Sequence, residues 1–336
     1  MFITHFSPKK VVQKIGRFPS RVRRGLSDYR FYTYLAVLGP GMIAANAGND
    51  ASGIATYSSV GAGFGYSLLW AFIPMALSLM VVQEMCVRMG LITGQGLADL
   101  IREQFGVRWT TLVMLTLFIA NTGVIISEFV GIAQAAELLG FSRYIAVPLA
   151  AALIWWLVVK GTQKRVERVF LAMSLVFFCY VIAAFLAGPD WREVGKGFIR
   201  PTFSMDTIYL FTLMALIGTT ITPFMQVYVQ SSVVEKGMDR DDLRLARADV
   251  IIGTLFAIMI AAFIVISTGA TLHTAGIFEV DSAATAANAL VPVVGDYARY
   301  LFAIGLFGAA MLAMGVLPLA TAYSMSEALG FEKGLS

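Results

Sequence analysis

The sequence has little of what disulfide-built, zinc-clustered or highly charged soluble proteins depend on. Among 336 residues there are two cysteines and two histidines, and only 14% are charged. Cys86 and Cys179 lie in apolar stretches, far apart and outside any Cys-x-x-Cys or Cys/His spacing, which excludes a disulfide framework and a zinc site. Both read as small apolar packing residues. His5 and His273 are too few for histidine metal chemistry. Nucleic-acid motifs are missing as well, and neither an enzyme activity nor a cofactor is expected.

What is present is hydrophobic: 58% of the residues, with a mean hydropathy of +0.76. The apolar residues gather in runs of about 18 to 25, the length a helix needs to cross roughly 30 Å of hydrocarbon at 1.5 Å per residue. Eight segments are read, at 33–62, 66–90, 109–139, 144–160, 169–187, 206–234, 246–269 and 297–329. The expected class is therefore an all-α polytopic membrane protein in contact with a lipid bilayer.

Residues 1–30 carry Lys9, Lys10, Lys14, Arg17, Arg21, Arg23, Arg24 and Arg30 against Asp28, with no apolar core behind them, so they are not a signal peptide. They are expected to form a basic cytoplasmic segment, either a short helix on anionic lipid or a disordered tail. With that end inside, the same side collects Arg88, Arg102, Arg108, Lys160, Lys164, Arg165, Arg168, Lys236, Arg240, Arg244, Arg247 and Lys333. The other side keeps Arg143, Arg192, Lys196, Arg200 and Arg299. That bias fits the positive-inside rule and an inner-membrane location. The outer loop before segment 8 holds Glu279, Asp281 and Asp296, and either attracts cations or is merely solvated.

Two segments are interrupted. Segment 1 contains Asn46-Ala47-Gly48-Asn49-Asp50-Ala51-Ser52-Gly53, and segment 6 contains Gly218-Thr219-Thr220-Ile221-Thr222-Pro223, where Pro223 cannot donate a helical bond. Breaks five segments apart are the pattern of an inverted-repeat transporter, with residues 31–190 as the first repeat and 191–336 as part of a second. Unwound carbonyls at membrane depth survive only where they line a cavity or coordinate something, and a cation is the natural occupant.

Asp50 is the leading candidate, because a carboxylate at a helix centre costs about 2.5 to 3.5 kcal/mol on insertion scales and marks a pathway or ligand. Thr222 and Thr219 at the second break either face the first or back-bond to the preceding turn. Gln226 and Gln230 either bond a hydrated ion or join helices. Glu128 in segment 3 either relays cations or protons or is a buried uncharged acid. Glu84 and Arg88 read as an i,i+4 pair at the cytoplasmic edge.

Gly39-Pro40-Gly41 leading to Asp50-Ala51-Ser52-Gly53, then Phe64-Gly65-Tyr66-Ser67-Leu68-Leu69-Trp70, Arg88-Met89-Gly90 and Thr93-Gly94, resembles the opening of the NRAMP divalent-metal transporters. Pro223 with Ser231-Ser232-Val233-Val234 resembles the family's sixth helix. The resemblance implies a LeuT-type fold of inverted five-helix repeats with helices 1 and 6 unwound, here appearing truncated after helix 8. The departures matter: the family's Asp-Pro-Gly-Asn is Asp50-Ala51-Ser52-Gly53, its Met-Pro-His is Thr222-Pro223-Phe224, and Ile125 stands where a proton-accepting Asp aligns, while Glu128 matches a family acid. Loss of the sulfur and imidazole is similar to the Nramp-related magnesium transporters.

That resemblance implies metal ligands Asp50 and Thr222 by side chain and Ala47 and Thr219 by carbonyl, with Gly53 leaving room. Asn49, Ser52, Thr220, Gln226 and Glu128 form the surrounding layer. The hard, oxygen-only set suits Mg²⁺, which takes oxygen ligands and gives up water reluctantly. The expected function is import of Mg²⁺, with Mn²⁺ also passing, by alternating access without proton coupling in a monomer. A proton-coupled Mn²⁺ or Fe²⁺ carrier and a LeuT-type carrier of amino acids or other organic solutes are the alternatives.

Overall fold

The computed structural model describes residues 39–280 and 282–331. The basic segment 1–30 lies outside the described residues. The described residues lie within one compact unit. Every regular element among the described residues is helical.

Segment 1 becomes two helices, α1 (Pro40–Ala47) and α2 (Ala51–Phe64). Pro40 suits a helix start, where its missing N–H is no loss. The chain continues through α3 (Phe72–Thr93) and α4 (Leu97–Leu138), which bends at Gly106, where φ is 79° and only glycine is at ease. Segment 3 is the part of α4 beyond this kink, and the polar stretch around Glu103 before it is a separate helical piece. Next come α5 (Arg143–Lys160), α6 (Gln163–Ser174) and α7 (Phe178–Leu186), the last two joined by a 3₁₀ turn. A short amphipathic α8 (Trp191–Ile199) precedes the second broken helix, α9 (Thr207–Thr220) and α10 (Pro223–Glu235). The described chain closes with α11 (Leu243–Thr268), which passes into a π-helical turn at Gly269–His273, then α12 (Ala283–Val294) and α13 (Asp296–Leu329).

Among the described residues seven stretches, one of them the broken pair α9 and α10, are long and apolar enough to span a membrane. With the split pair α1 and α2 they account for the eight expected segments, as a multi-pass membrane protein requires. On α5 only Ala150, Ile154 and Leu157 are buried, a stripe of spacing 4 and 3, while Leu149, Leu153, Trp155 and Trp156 face outward. Bilayer hydrocarbon explains such apolar exposure, which water would not tolerate.

The site is framed by α4, α11 and α13. Helix α4 lies antiparallel to α13, since Asn121 Nδ2 donates to Thr321 Oγ1 at 2.8 Å and a Cβ on Gly131 would lie 3.5 Å from the Ala310 Cβ; the same Cβ would come within 2.4 Å of the Ala51 Cβ of α2. Helix α11 runs beside both halves of the first broken helix. A Cβ on Gly253 would lie 2.5 Å from the Met42 Cα, and one on Gly61 would lie 2.0 Å from Thr268 Oγ1. Backbone therefore meets backbone at these crossings, and any larger residue forces the helices apart.

Candidate metal site

Both interruptions are present and both are narrower than the sequence suggested. The first is confined to Gly48–Asp50, so Asn46 and Ala47 still belong to α1 and Ala51, Ser52 and Gly53 already belong to α2. The second is confined to Ile221 and Thr222, and Gly218, Thr219 and Thr220 complete α9. At the first break the amides of Gly48 and Asn49 turn back to the Ala45 and Asn46 carbonyls. The carbonyls of Ala47 and Gly48 are thereby left past the end of α1, at the partially negative pole of its dipole.

Asp50 caps α2. Its Oδ1 accepts from the Gly53 N–H at 2.6 Å and from Ser52 Oγ at 2.7 Å, and the residue is 2% exposed. Glu128, from α4, accepts the Ala51 N–H at 3.1 Å through Oε2. The first turn of α2 is thus held by two carboxylates, one local and one from a distant helix, each compensated by the positive pole of the half-helix. Glu128 Oε1 is buried without a hydrogen-bond partner.

Gly53 marks the point where oxygens converge. A Cβ built there would lie 3.0 Å from the Gly48 carbonyl oxygen, 3.3 Å from Asp50 Oδ1 and 3.4 Å from Thr219 Oγ1. The structure therefore brings Asp50, Gly53 and Thr219 together, and Thr219 approaches by its hydroxyl. The Gly48 carbonyl was not foreseen from the sequence; the only signal for it is its place inside the break. Ala47, the last residue of α1, is buried one residue away.

Thr222 caps α10 without a side-chain bond, and its Oγ1 is buried and unpartnered. Asn46 Oδ1 and Gln226 Oε1 are likewise buried acceptors with no hydrogen-bond donor. Unsatisfied oxygens at membrane depth are costly, and a cation or its waters would satisfy them. Asn49 is turned the other way, donating to the Ala257 carbonyl at 2.9 Å, and Thr220 is engaged by Tyr57 at 3.2 Å and by the Leu216 carbonyl at 2.7 Å. Met225, one turn past Thr222, presents its methyl to Gly48, while its sulfur accepts weakly from Gln83 Nε2 at 3.9 Å.

Two features differ between the ends of the molecule. Away from the basic end, a shallow open cavity of about 380 Å³ lies between α2 and α9, lined by Ala55, Thr56, Ser59, Phe211, Thr212 and Ala215. Helical spacing continues that lining from Thr56 to Ser52 and from Thr212 to Thr219, straight toward Asp50. At the basic end α10 is tied to its surroundings. Gln230 donates to the Gln95 carbonyl at 3.0 Å, Ser231 to Glu327 at 2.6 Å, Tyr323 bonds Glu235, and Lys236 pairs with Glu167 at 3.1 Å. The Glu84–Arg88 pair is present at 3.5 Å, and Arg247 of α11 joins it at 2.7 Å.

The chain is similar to known proteins over most of its length. The chain is 29% identical over 310 residues to the divalent metal cation transporter MntH of Deinococcus radiodurans, a match spanning 88% of this chain and 70% of that one. It is 32% identical over 295 residues to MntH 1 of Pseudomonas aeruginosa, spanning 83% and 65%. The chain thus spans about two thirds of the length of these relatives. A crystal structure of the Eremococcus coleocola manganese transporter superposes with a TM-score of 0.75 at 21% identity, over 91% of this chain and 68% of that one. The two interrupted helices and the helices around them form the LeuT-like fold of such transporters. The family model for Nramp, natural resistance-associated macrophage protein-like, matches residues 41–336, and the chain belongs to that family.

Proposed function

We propose that this chain carries a divalent cation across the inner membrane by alternating access, with its basic end cytoplasmic, taking Mg²⁺ in preference and Mn²⁺ as a close competitor, and without moving protons. The observation that carries this reading is the meeting of the Asp50 carboxylate, the Gly48 carbonyl and the Thr219 hydroxyl around Gly53, between two helices broken opposite each other. Asp50, Thr222, Thr219 and the Ala47 and Gly48 carbonyls supply oxygen alone. Gly53 keeps the space open, and Asn46, Ser52 and Gln226 are placed for the ion's waters.

Hard oxygen ligands suit Mg²⁺, which holds several waters in octahedral array, better than they suit softer ions. The Met225 sulfur faces an amide donor, so it adds little softness. Relatives of this chain carry the names of divalent metal and manganese transporters, which supports the cation class. The cavity between α2 and α9 gives an approach path, and the polar ties at the basic end must release before the ion can leave inward.

A proton-coupled Mn²⁺ carrier is the second reading. What favours it is Glu128, one residue from Asp50 through the Ala51 amide, with a carboxylate oxygen left over. Flux into proteoliposomes holding a pH indicator decides between the two. Mg²⁺ entry without acidification, lost in Asp50→Ala, is expected. Mn²⁺ entry with acidification and no Mg²⁺ entry would establish the second reading, and full flux in Asp50→Ala would refute the site.

A further inference from the structure

Half-helix α1 has eight residues, two turns, too few to hold its own shape or place in isolation. Its N-cap position is Gly39, which has no capping side chain, and Pro40 has no N–H. The donors lacking an intrahelical acceptor at this end are the amides of Gly39, Gly41 and Met42, since Ile43 makes the first internal bond, to Gly39. All three donate to one carboxylate more than 200 positions away. Asp249 Oδ1 accepts from Gly39 at 3.0 Å and from Met42 at 3.2 Å, and Oδ2 accepts from Gly41 at 2.7 Å.

Asp249 is 4% exposed and sits on α11, on the face that follows α1 turn by turn. A Cβ on Gly41 would lie 2.9 Å from the Val250 Cα, Gly253 is pressed against Met42, and Asn49 reaches the Ala257 carbonyl. Residues 249 and 253 thus grip the first turn of α1, and 257 is reached from Asn49 just past its end. Both carboxyl oxygens also face the positive pole of the half-helix.

We propose that Asp249 is a positioning residue for the ion site: by seating α1 on α11 it fixes, about 12 Å further along the helix axis, where the Ala47 and Gly48 carbonyls stand relative to Asp50. The proposal rests on the reading of the break as an ion site. Groups that orient metal ligands from the next layer typically contribute about 10–100-fold in affinity, and α1 transmits the effect as a short rod because both of its ends are held.

The test is Mn²⁺ binding to the purified full chain, with Mg²⁺ as competitor, together with hydrogen exchange at individual amides. In Asp249→Asn one carboxylate oxygen becomes an NH₂ donor, so Mn²⁺ binding is expected to weaken about 10–100-fold, and whichever of the Gly41 and Met42 amides faces that NH₂ to lose its protection. A purely structural role would lower the melting temperature and leave the affinity of the folded fraction unchanged. Parental affinity in a folded Asp249→Asn chain overturns the proposal, as does unchanged exchange at Gly41 and Met42. Asp50→Ala separates this from the underlying reading: if that variant binds like the parent, the ion site itself is misplaced, whatever Asp249 does. Should Asp249→Asn fail to fold, the parent decides. Its Gly41 and Met42 amides must exchange as slowly as those inside α11, and exchange at the rate of free first-turn amides overturns the proposal.

Discussion

The hydroxyl groups of Tyr57 and Thr220 lie 3.2 Å apart, joining the second turn of α2 to the last residue of α9. Tyr57 is fully buried beside Phe72, so this bond fastens α2 and α9, one half of each broken helix, next to the convergence at Gly53. Thr220 also bonds the Leu216 carbonyl and keeps that partner if Tyr57 is changed. Tyr57→Phe is therefore expected to cost only about 0.5–1.5 kcal/mol, read as a small drop in melting temperature in detergent. A larger loss would mean that the hydroxyl has a second buried partner.

Gly53→Ala separates site from scaffold. Gly53 is within α2, where alanine is the better helix former by roughly 1 kcal/mol. Its Cβ would nonetheless press on Gly48 O, Asp50 Oδ1 and Thr219 Oγ1. The expected result is parental or higher thermal stability together with Mn²⁺ or Mg²⁺ binding weakened at least about tenfold, measured by titration. Equal losses in both would show that the glycine serves packing alone.

Glu128 divides into two testable parts. In Glu128→Ala the Ala51 N–H is left buried without an acceptor, at a cost of about 1–3 kcal/mol. Glu128→Gln retains an oxygen for that amide and should melt close to the parent. In vesicles holding a pH indicator, the parent and Glu128→Gln are expected to admit Mg²⁺ alike and without acidification.

Glu327 does for α4 what Asp249 does for α1. It accepts from the Ala98 amide at 3.1 Å and from Ser231 Oγ at 2.6 Å, and a Cβ on Gly96 would lie 1.8 Å from its Oε1. Glu327→Ala strands both donors and is expected to destabilise by about 1.5–3 kcal/mol. Gly96→Ala should lower the melting temperature similarly by driving the carboxylate away. Since Ser231 belongs to α10, both changes loosen the basic end and are also expected to speed labelling of a cysteine placed at Val234, on the same helix, from that side.

Much of the framework could be read from residue order because a bilayer imposes a one-dimensional code. Apolar runs of sufficient length must become helices, as they do from Leu69 to Leu329. Pro223 and the small polar run around Asp50 announce breaks because one lacks an N–H and the others bring polarity to membrane depth. The widths of the breaks were not legible: Gly53 and Thr219 are helical because Asp50 caps one half-helix and Thr219 lies in the closing turn of the other, both matters of local geometry.

By itself the sequence determined the membrane class, the helical segments, the two interruptions and the carboxylate at the first of them. Only the tertiary structure decided that the Gly48 carbonyl and the Thr219 hydroxyl meet Asp50 beside Gly53, and that Asp249 and Glu327 cap helices far from them in the chain. The physical reason is that a helix start without its own capping residue still needs an acceptor. Periodicity records which face of a helix is buried, and it is silent about which distant carboxylate arrives there.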